Sequence, residues 1–195
     1  MTTADVVTSP VDIGVLSVNL LSTAQCTALV RDFGELPKIE GTLFRGDAGM
    51  HQVDVSKYKA TEAYLDLRGQ HAWLCPMLQR ALDQASEWFD CSTMGVFEPP
   101  RVLRYRIGGH FAWHTDAPPF GVTGVPRQRR LTMSVQLSGA DDYRGGELLI
   151  KRDGRTHRAD RTAGNVVLFP ANWVHAAQPV TFGTRYALVL WGASL

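Results

Sequence analysis

Arg104-Tyr105-Arg106-Ile107-Gly108-Gly109-His110-Phe111-Ala112-Trp113-His114-Thr115-Asp116 is the stretch on which the fold reading turns. Val102–Ile107 is an apolar-rich strand pattern, Gly108-Gly109 marks a turn, and Phe111–Asp116 is a second strand pattern. On a strand, residues i and i+2 point to the same face, so His114 and Asp116 present an imidazole and a carboxylate together. Downstream the same rhythm continues. A Pro/Gly-rich loop at 117–126 precedes Leu131–Leu137, which alternates apolar and polar residues. Gly145-Gly146, a bulge or tight turn, precedes Glu147–Lys151, and Asp153-Gly154 is a strong hairpin-turn dipeptide. Asn165–Phe169, Trp173–Ala177 and Arg185–Trp191 complete the set. Many short strands at regular spacing predict a sandwich or barrel, and a jelly roll fits their number.

The part upstream of this region reads as mixed and partly helical. Val15–Leu21 is a short apolar run that predicts a strand, and Ser22 or Thr23 then serves as a helix N-cap. Cys26, Leu29, Val30 and Phe33 follow at helical spacing until Gly34 and Pro37 end the pattern. Residues 38–60 read as loop. A second helix is expected over about 70–89, where Leu74, Leu78 and Leu82 form one apolar stripe and Pro76 fits its first turn. The expected architecture is one domain over 1–195, mainly β with flanking helices. Residues 10–95 form a mixed support and 96–195 a double-stranded β-helix, or jelly-roll, core.

Composition agrees with one soluble domain. The chain has 195 residues, 45% apolar and 20% charged, and a net charge of +1. Three cysteines without motif spacing argue against a disulfide framework and for a reducing, cytoplasmic compartment. The first ten residues lack signal-peptide character, and the longest purely apolar run, Tyr186–Trp191, is far too short to span a bilayer. Charge is uneven: residues 1–97 carry seven Lys/Arg against twelve Asp/Glu, and residues 98–195 carry thirteen against seven. Twelve of those thirteen are arginine, whose planar fork suits a small anionic ligand. Generic nucleic-acid binding calls for a more basic domain.

His175, on a later strand, can join His114 and Asp116 in space. Two imidazoles and one carboxylate on one side of a metal are the facial triad of non-haem Fe(II) oxygenases, whose remaining positions stay open for co-substrate and dioxygen. A structural zinc site would instead be closed by four protein ligands. Arg185 lies ten residues after His175, beyond Pro179 and Gly183, where a guanidinium can grip a dicarboxylate's far end. Arg185, Ala187, Val189 and Trp191 share a strand face, and Tyr105 lies nine residues before His114.

With these residues in view, the sequence resembles the Fe(II)- and 2-oxoglutarate-dependent dioxygenases, in their prolyl-4-hydroxylase-like branch. The resemblance runs through 104–116, Arg130-Leu131-Thr132 with Gln136-Leu137-Ser138, Asp142–Leu148, Ala163-Gly164-Asn165 to Phe169-Pro170, His175, Pro179-Val180 and Gly183 to Trp191. Val18–Ser22 is similar to the family's opening strand-to-helix junction. It implies a double-stranded β-helix with helices on its larger sheet. It implies His114, Asp116 and His175 on Fe(II), Arg185 on the C5 carboxylate of 2-oxoglutarate, and Tyr105 hydrogen-bonding that co-substrate. Thr132, Ser134 and Gln136, on one strand face, are placed as further polar contacts, and Trp191 as a pocket or core residue. Dioxygen is the second co-substrate and ascorbate a stimulant. The acid of the H-x-D motif is present, whereas relatives that halogenate lack it, so hydroxylation is expected, with succinate and CO2 as co-products.

The acceptor is expected to be an amino acid, a prolyl residue or a small biosynthetic intermediate, with no membrane or nucleic-acid partner and the oligomeric state left open. Candidate substrate residues are Arg45 and Asp47 in the glycine-rich stretch, and Phe120 and Arg127 in the loop after Asp116. His51, His71 and His157 read as surface histidines, and His110 as a turn residue that is no ligand. Two other classes remain open from residues alone: a non-enzymatic, cupin-like binding protein on the same barrel, and a zinc hydrolase on a jelly roll, which would not need Arg185 and Tyr105 in these places.

Overall fold

A computed structural model of the chain describes residues 15–41, 43–45, 50–93, 95–96, 98–117 and 128–194, with the backbone alone at 43–45 and 50–52. In chain order the elements are β1 (Leu16–Asn19), α1 (Thr23–Glu35), β2 (Ile39–Glu40), β3 (Leu43–Arg45), β4 (Met50–Gln52), β5 (Tyr58–Lys59) and β6 (Thr61–Tyr64). A 3-10 turn at Ala72–Leu74 leads into α2 (Cys75–Trp88). Then follow β7 (Arg101–Tyr105), β8 (His110–His114), β9 (Gln128–Gln136), β10 (Tyr143–Gly145), β11 (Leu148–Arg152) and β12 (Arg155–Arg158). The last are β13 (Asn165–Pro170), β14 (Val174–Ala177), β15 (Val180–Gly183) and β16 (Arg185–Ser194).

Two sheets carry the architecture. The larger has the order β1-β13-β9-β16-β7-β6-β2 and the smaller β12-β11-β14-β8-β5, with β10-β15 and β3-β4 as separate pairs. All strand pairs named here are antiparallel. This is the mainly β jelly roll that the strand rhythm predicts.

The period-2 alternation of the central strands sorts each side chain to one of two environments. Leu131, Met133 and Val135 of β9 and Leu188 and Leu190 of β16 are fully buried in one apolar cluster with Leu29 and Phe33 of α1 and Leu78 and Leu82 of α2. Thr132, Ser134, Ala187, Val189 and Trp191 point the other way and line a cavity with the smaller sheet. The helices therefore cover the outer face of the larger sheet and leave its inner face for the site. Each fully buried Leu or Phe of this layer stabilises the domain by roughly 1.5–3 kcal/mol.

Local signals hold in detail. Ser22 is the N-cap of α1 and forms a capping box with Gln25. Pro76 sits in the first turn of α2. Asp153 and Gly154 both have positive φ, at 49° and 73°, as a two-residue hairpin turn between β11 and β12 requires. The register of β10 against β15 shifts between Arg144 and Gly145, so the Gly145-Gly146 pair is a bulge.

Three expectations need correction. The stretch 38–60 is not plain loop: it holds β2 to β5, two- and three-residue strands too short to show periodicity. β8 ends at His114, so Asp116 is not on the strand. The N–H groups of Asp116 and Ala117 both donate to the Ala171 carbonyl, which draws the chain out of the sheet. His71 is fully buried, not on the surface: its Nδ1 accepts from the Asp66 N–H and its Nε2 lies 3.5 Å from Asp32 of α1.

Candidate active site

The sheet register brings the three expected metal ligands together. His114 and His175 are cross-strand partners in the β14–β8 pair. Asp116 follows two residues after His114, and its carboxylate lies 3.6 Å from His114 Nε2 and 3.3 Å from His175 Nε2. One ligand atom from each residue falls within 4.8 Å of the other two, and no fourth His, Cys, Asp or Glu joins the group among the described residues.

The donor set fits a divalent metal ion in its protonation as well as its composition. His114 Nδ1 lies 2.7 Å from the Ala112 carbonyl, and His175 Nδ1 lies 2.9 Å from the Trp173 carbonyl. A carbonyl only accepts, so each Nδ1 carries the proton and each Nε2 lone pair faces the cluster. Thr132 donates to Asp116 Oδ2 at 2.7 Å and fixes the carboxylate from the larger sheet. Aromatic rings hold the imidazoles: Phe111 stacks on His114 at 3.4 Å between centroids, and Phe169 meets His175 edge-on at 4.9 Å.

Electrostatics follow from this packing. Burial raises the Asp116 pKa, but His175 and His114 outweigh it and hold the carboxyl well below the usual carboxylate range. Burial lowers the pKa of His175, and Asp116 more than offsets that, leaving it above the ordinary imidazole value. In the metal-free protein the pair therefore favours a charged carboxylate beside a readily protonated imidazole.

The cluster opens on a cavity of about 360 Å³ between the sheets, with apolar walls from Leu103, Phe111, Phe169 and Val189. Arg185 also lines it, 4% exposed, paired in register with Tyr105 across β16 and β7. Tyr105 thus comes from the larger sheet, opposite His114. The Arg185 guanidinium lies 5.4 Å over the Tyr105 ring and donates from Nε to Gln136 Oε1 at 3.2 Å. Among the described residues no carboxylate lies within ion-pair distance of it, which is costly for a buried cation unless a ligand supplies the charge. Gly146, with φ 67°, passes close by: a Cβ there would come within 2.8 Å of Val180 and 3.3 Å of the Arg185 side chain.

Other expected residues are placed differently. Gln136 is not on the cavity wall; it sits behind Arg185, donating to the Ser138 carbonyl and to the Tyr143 hydroxyl. Thr132 contacts Asp116 instead of offering a free polar group. Trp191 lies six residues from Arg185 along β16, about 20 Å at ordinary strand rise, and does not adjoin it. Arg45 is in β3, described by its backbone, and Asp47, Phe120 and Arg127 lie outside the described residues. His110 bonds the Gly108 and Ser56 carbonyls and is no ligand.

Sequence reasoning missed a charged group at the Trp191 end. Arg129 and Arg101 lie over the Trp191 ring at 3.6 and 4.6 Å. Glu98 grips Arg129 through two bonds of 2.5 and 2.6 Å, and buried Glu62 binds Arg101 at 2.9 Å. These residues are scattered over four segments, and the β6–β7, β7–β16 and β16–β9 registers bring them together.

Comparison with known proteins agrees with this geometry. Residues 100–192, which carry all three metal-ligand candidates and Arg185, match the 2OG-Fe(II) oxygenase superfamily model. A PKHD-type hydroxylase of Pseudomonas putida is 38% identical over 160 residues, 75% of this chain and 70% of that protein. One from Parvibaculum lavamentivorans is 40% identical over 99 residues, 50% of this chain and 44% of that protein, so the chain matches less than half of that relative's length. Among solved structures, a Pseudomonas putida prolyl-4-hydroxylase superposes with a TM-score of 0.69 at 18% identity over 97% of both chains, which is a likeness of fold. The non-enzymatic, cupin-like alternative is not favoured by these matches. Family model, relatives and fold converge, and the chain belongs to the 2OG-Fe(II) oxygenase superfamily.

Proposed function

We propose that the chain is an Fe(II)- and 2-oxoglutarate-dependent dioxygenase that hydroxylates a C–H bond of an amino acid, a prolyl residue or a small biosynthetic intermediate. The observation that carries this reading is one cavity holding both an open three-ligand cluster and a buried guanidinium without a carboxylate partner among the described residues. His114, Asp116 and His175 hold the iron, and Arg185 takes the distal carboxylate of 2-oxoglutarate. Bound there, metal and co-substrate supply the oxidation: one atom of dioxygen ends in succinate, the other in the new hydroxyl, and CO2 leaves.

The chain's own residues orient and enclose these partners. The Arg185 fork makes paired, charge-assisted hydrogen bonds to a carboxylate, and Gln136 behind it sets the plane of the fork. Burial pushes the Tyr105 phenol up to about 12, against the pull of Arg185, so the hydroxyl stays protonated and serves as a donor to the co-substrate. Leu103, Phe169 and Val189 exclude water from the reacting centre. Ascorbate stimulates turnover. The whole chain acts as one dioxygenase domain, 10–95 supporting the 96–195 core. A cytoplasmic place is in keeping with its three unpaired cysteines, and no helix among the described residues is long and apolar enough to cross a membrane.

A screen tests this. Fe(II)-loaded protein is given 2-oxoglutarate, air and panels of amino acids, proline-containing peptides and biosynthetic acids, with succinate and products one oxygen heavier as readouts. At least one panel should raise succinate above the His175→Ala background with matching oxygenated product. Wild type that never exceeds that background in any panel overturns the proposal.

A further inference from the structure

Two stacked rings away from His114 lies a buried polar group that the proposed chemistry does not use. Glu62 of β6 is fully buried. Its Oε1 accepts from the Tyr58 hydroxyl at 2.8 Å, and its Oε2 pairs with Arg101 at 2.9 Å. Both contacts lead to the site. The Tyr58 ring stacks on Phe111 at 4.0 Å and 20°, and Phe111 stacks on His114 at 3.4 Å and 12°. Arg101 lies over Trp191 on the cavity wall.

The backbone adds a second link on the same side. β5, the edge strand that carries Tyr58, pairs with β8 with Tyr58 opposite Phe111. The Lys57 carbonyl accepts from the Ala112 N–H at 2.7 Å, and the Ala112 carbonyl accepts the His114 Nδ1 proton. The strand that braces His114 is thus only two residues long, and one residue, Ala60, separates it from β6 in the other sheet. A two-residue edge strand is weakly held by its own ladder. Backbone bonds from Tyr58 to Asp54 and from Gly41 to Ala60 flank it, and the Glu62 carboxylate, reaching back across that crossing, adds a buried side-chain tie.

Resting on the metal-site reading above, we propose that Glu62 is a positioning residue for His114. It fixes Tyr58, and through Phe111 and the Ala112 peptide it sets the angle at which the imidazole presents Nε2. The same carboxylate holds Arg101 against Trp191, so one buried group ties the ligand end of the cavity to its Trp191 end. A purely structural salt bridge would leave ligand geometry untouched when weakened; a positioning residue would not.

The test uses Co(II) as probe on the metal-free full chain, read by affinity and by the visible absorption of the loaded protein. Tyr58→Phe keeps the ring but cuts its tie to Glu62. Glu62→Gln keeps an acceptor for Tyr58 and turns a donor toward Arg101. Loss of an outer partner typically weakens metal binding about 10- to 100-fold. Each variant should fall at or somewhat below the low end of that range, because the link runs through stacked rings, and each should alter the Co(II) spectrum. Leu78→Ala, in the helix layer beyond the larger sheet, should melt lower yet keep wild-type affinity and spectrum. Wild-type Co(II) affinity and spectrum in both Tyr58→Phe and Glu62→Gln would overturn the inference. If instead wild type itself fails to bind Co(II), or binds it as well after His114→Ala, the metal-site reading fails.

Discussion

Arg185 offers the sharpest separation of function from stability. Its guanidinium is buried, meets only Gln136 and the Tyr105 ring, and has no carboxylate partner among the described residues. An uncompensated buried cation is a cost to the free protein. Replacing it with methionine, similar in length and apolar, removes that cost, so metal-loaded but co-substrate-free Arg185→Met should melt at or above wild type. The opposite holds for the ligand. Truncating one partner of a buried charge pair costs about 2–5 kcal/mol, which at 1.36 kcal/mol per decade is roughly 30- to 5,000-fold in Kd. Titration calorimetry of 2-oxoglutarate into Mn(II)-loaded protein under argon measures this directly. Arg185→Lys should recover part of the loss, keeping charge but not the fork. Gln136→Ala, which takes one hydrogen bond from Arg185 and leaves its charge in place, should cost only about 1 kcal/mol of 2-oxoglutarate affinity. An Arg185→Met protein that melts several degrees lower and binds 2-oxoglutarate like wild type would show a structural arginine and refute the reasoning.

Further outcomes follow from the same geometry. Asp116→Ala should abolish tight Mn(II) binding in a titration, since among the described residues it is the only carboxylate of the cluster. Thr132→Val should weaken Mn(II) about tenfold by freeing that carboxylate, with an unchanged Kd contradicting its orienting role. Metal affinity should fall with acid: the His175 pKa is raised in the metal-free protein, so below it each pH unit costs up to about tenfold as the proton competes for Nε2. The stability of the metal-free protein runs the other way for this group: the His175 contribution is complete below the unfolded value and lost as pH rises through the folded one. Asp116, depressed, contributes above its unfolded value and loses this as pH falls. Leu78→Ala should cost about 2–5 kcal/mol in urea unfolding, and a cost below 1 kcal/mol would show that the helix layer is loosely packed.

Legibility in the sequence followed periodicity. β9 alternates cleanly from Leu131 to Gln136, so its two faces could be read residue by residue, whereas β16 runs apolar after Arg185 and its faces followed only by counting the strand period from that arginine. α1 carried an apolar stripe and a cap signal, and α2 an apolar stripe with Pro76 in its first turn. His114, Asp116 and His175 were found because ligand chemistry restricts residue type. The rest depended on distance in space. Tyr58 and Glu62 lie on strands of two and four residues, where no period can show, and Glu98, just before β7, meets Arg129 of β9 because β7 and β9 flank β16 in the sheet. His71 was misread because a histidine in a polar stretch gives no sign of the buried Asp32 contact that α1 brings to it.

The central claim is that one metal ion and one 2-oxoglutarate share the cavity, the second bound through the first and through Arg185. Native mass spectrometry under argon, with Fe(II) and 2-oxoglutarate added singly and together, measures this most directly. The account predicts one Fe(II) per chain, one 2-oxoglutarate only when Fe(II) is present, and neither in His175→Ala. A 2-oxoglutarate adduct of equal occupancy without metal, or Fe(II) retained in full by His175→Ala, would contradict it.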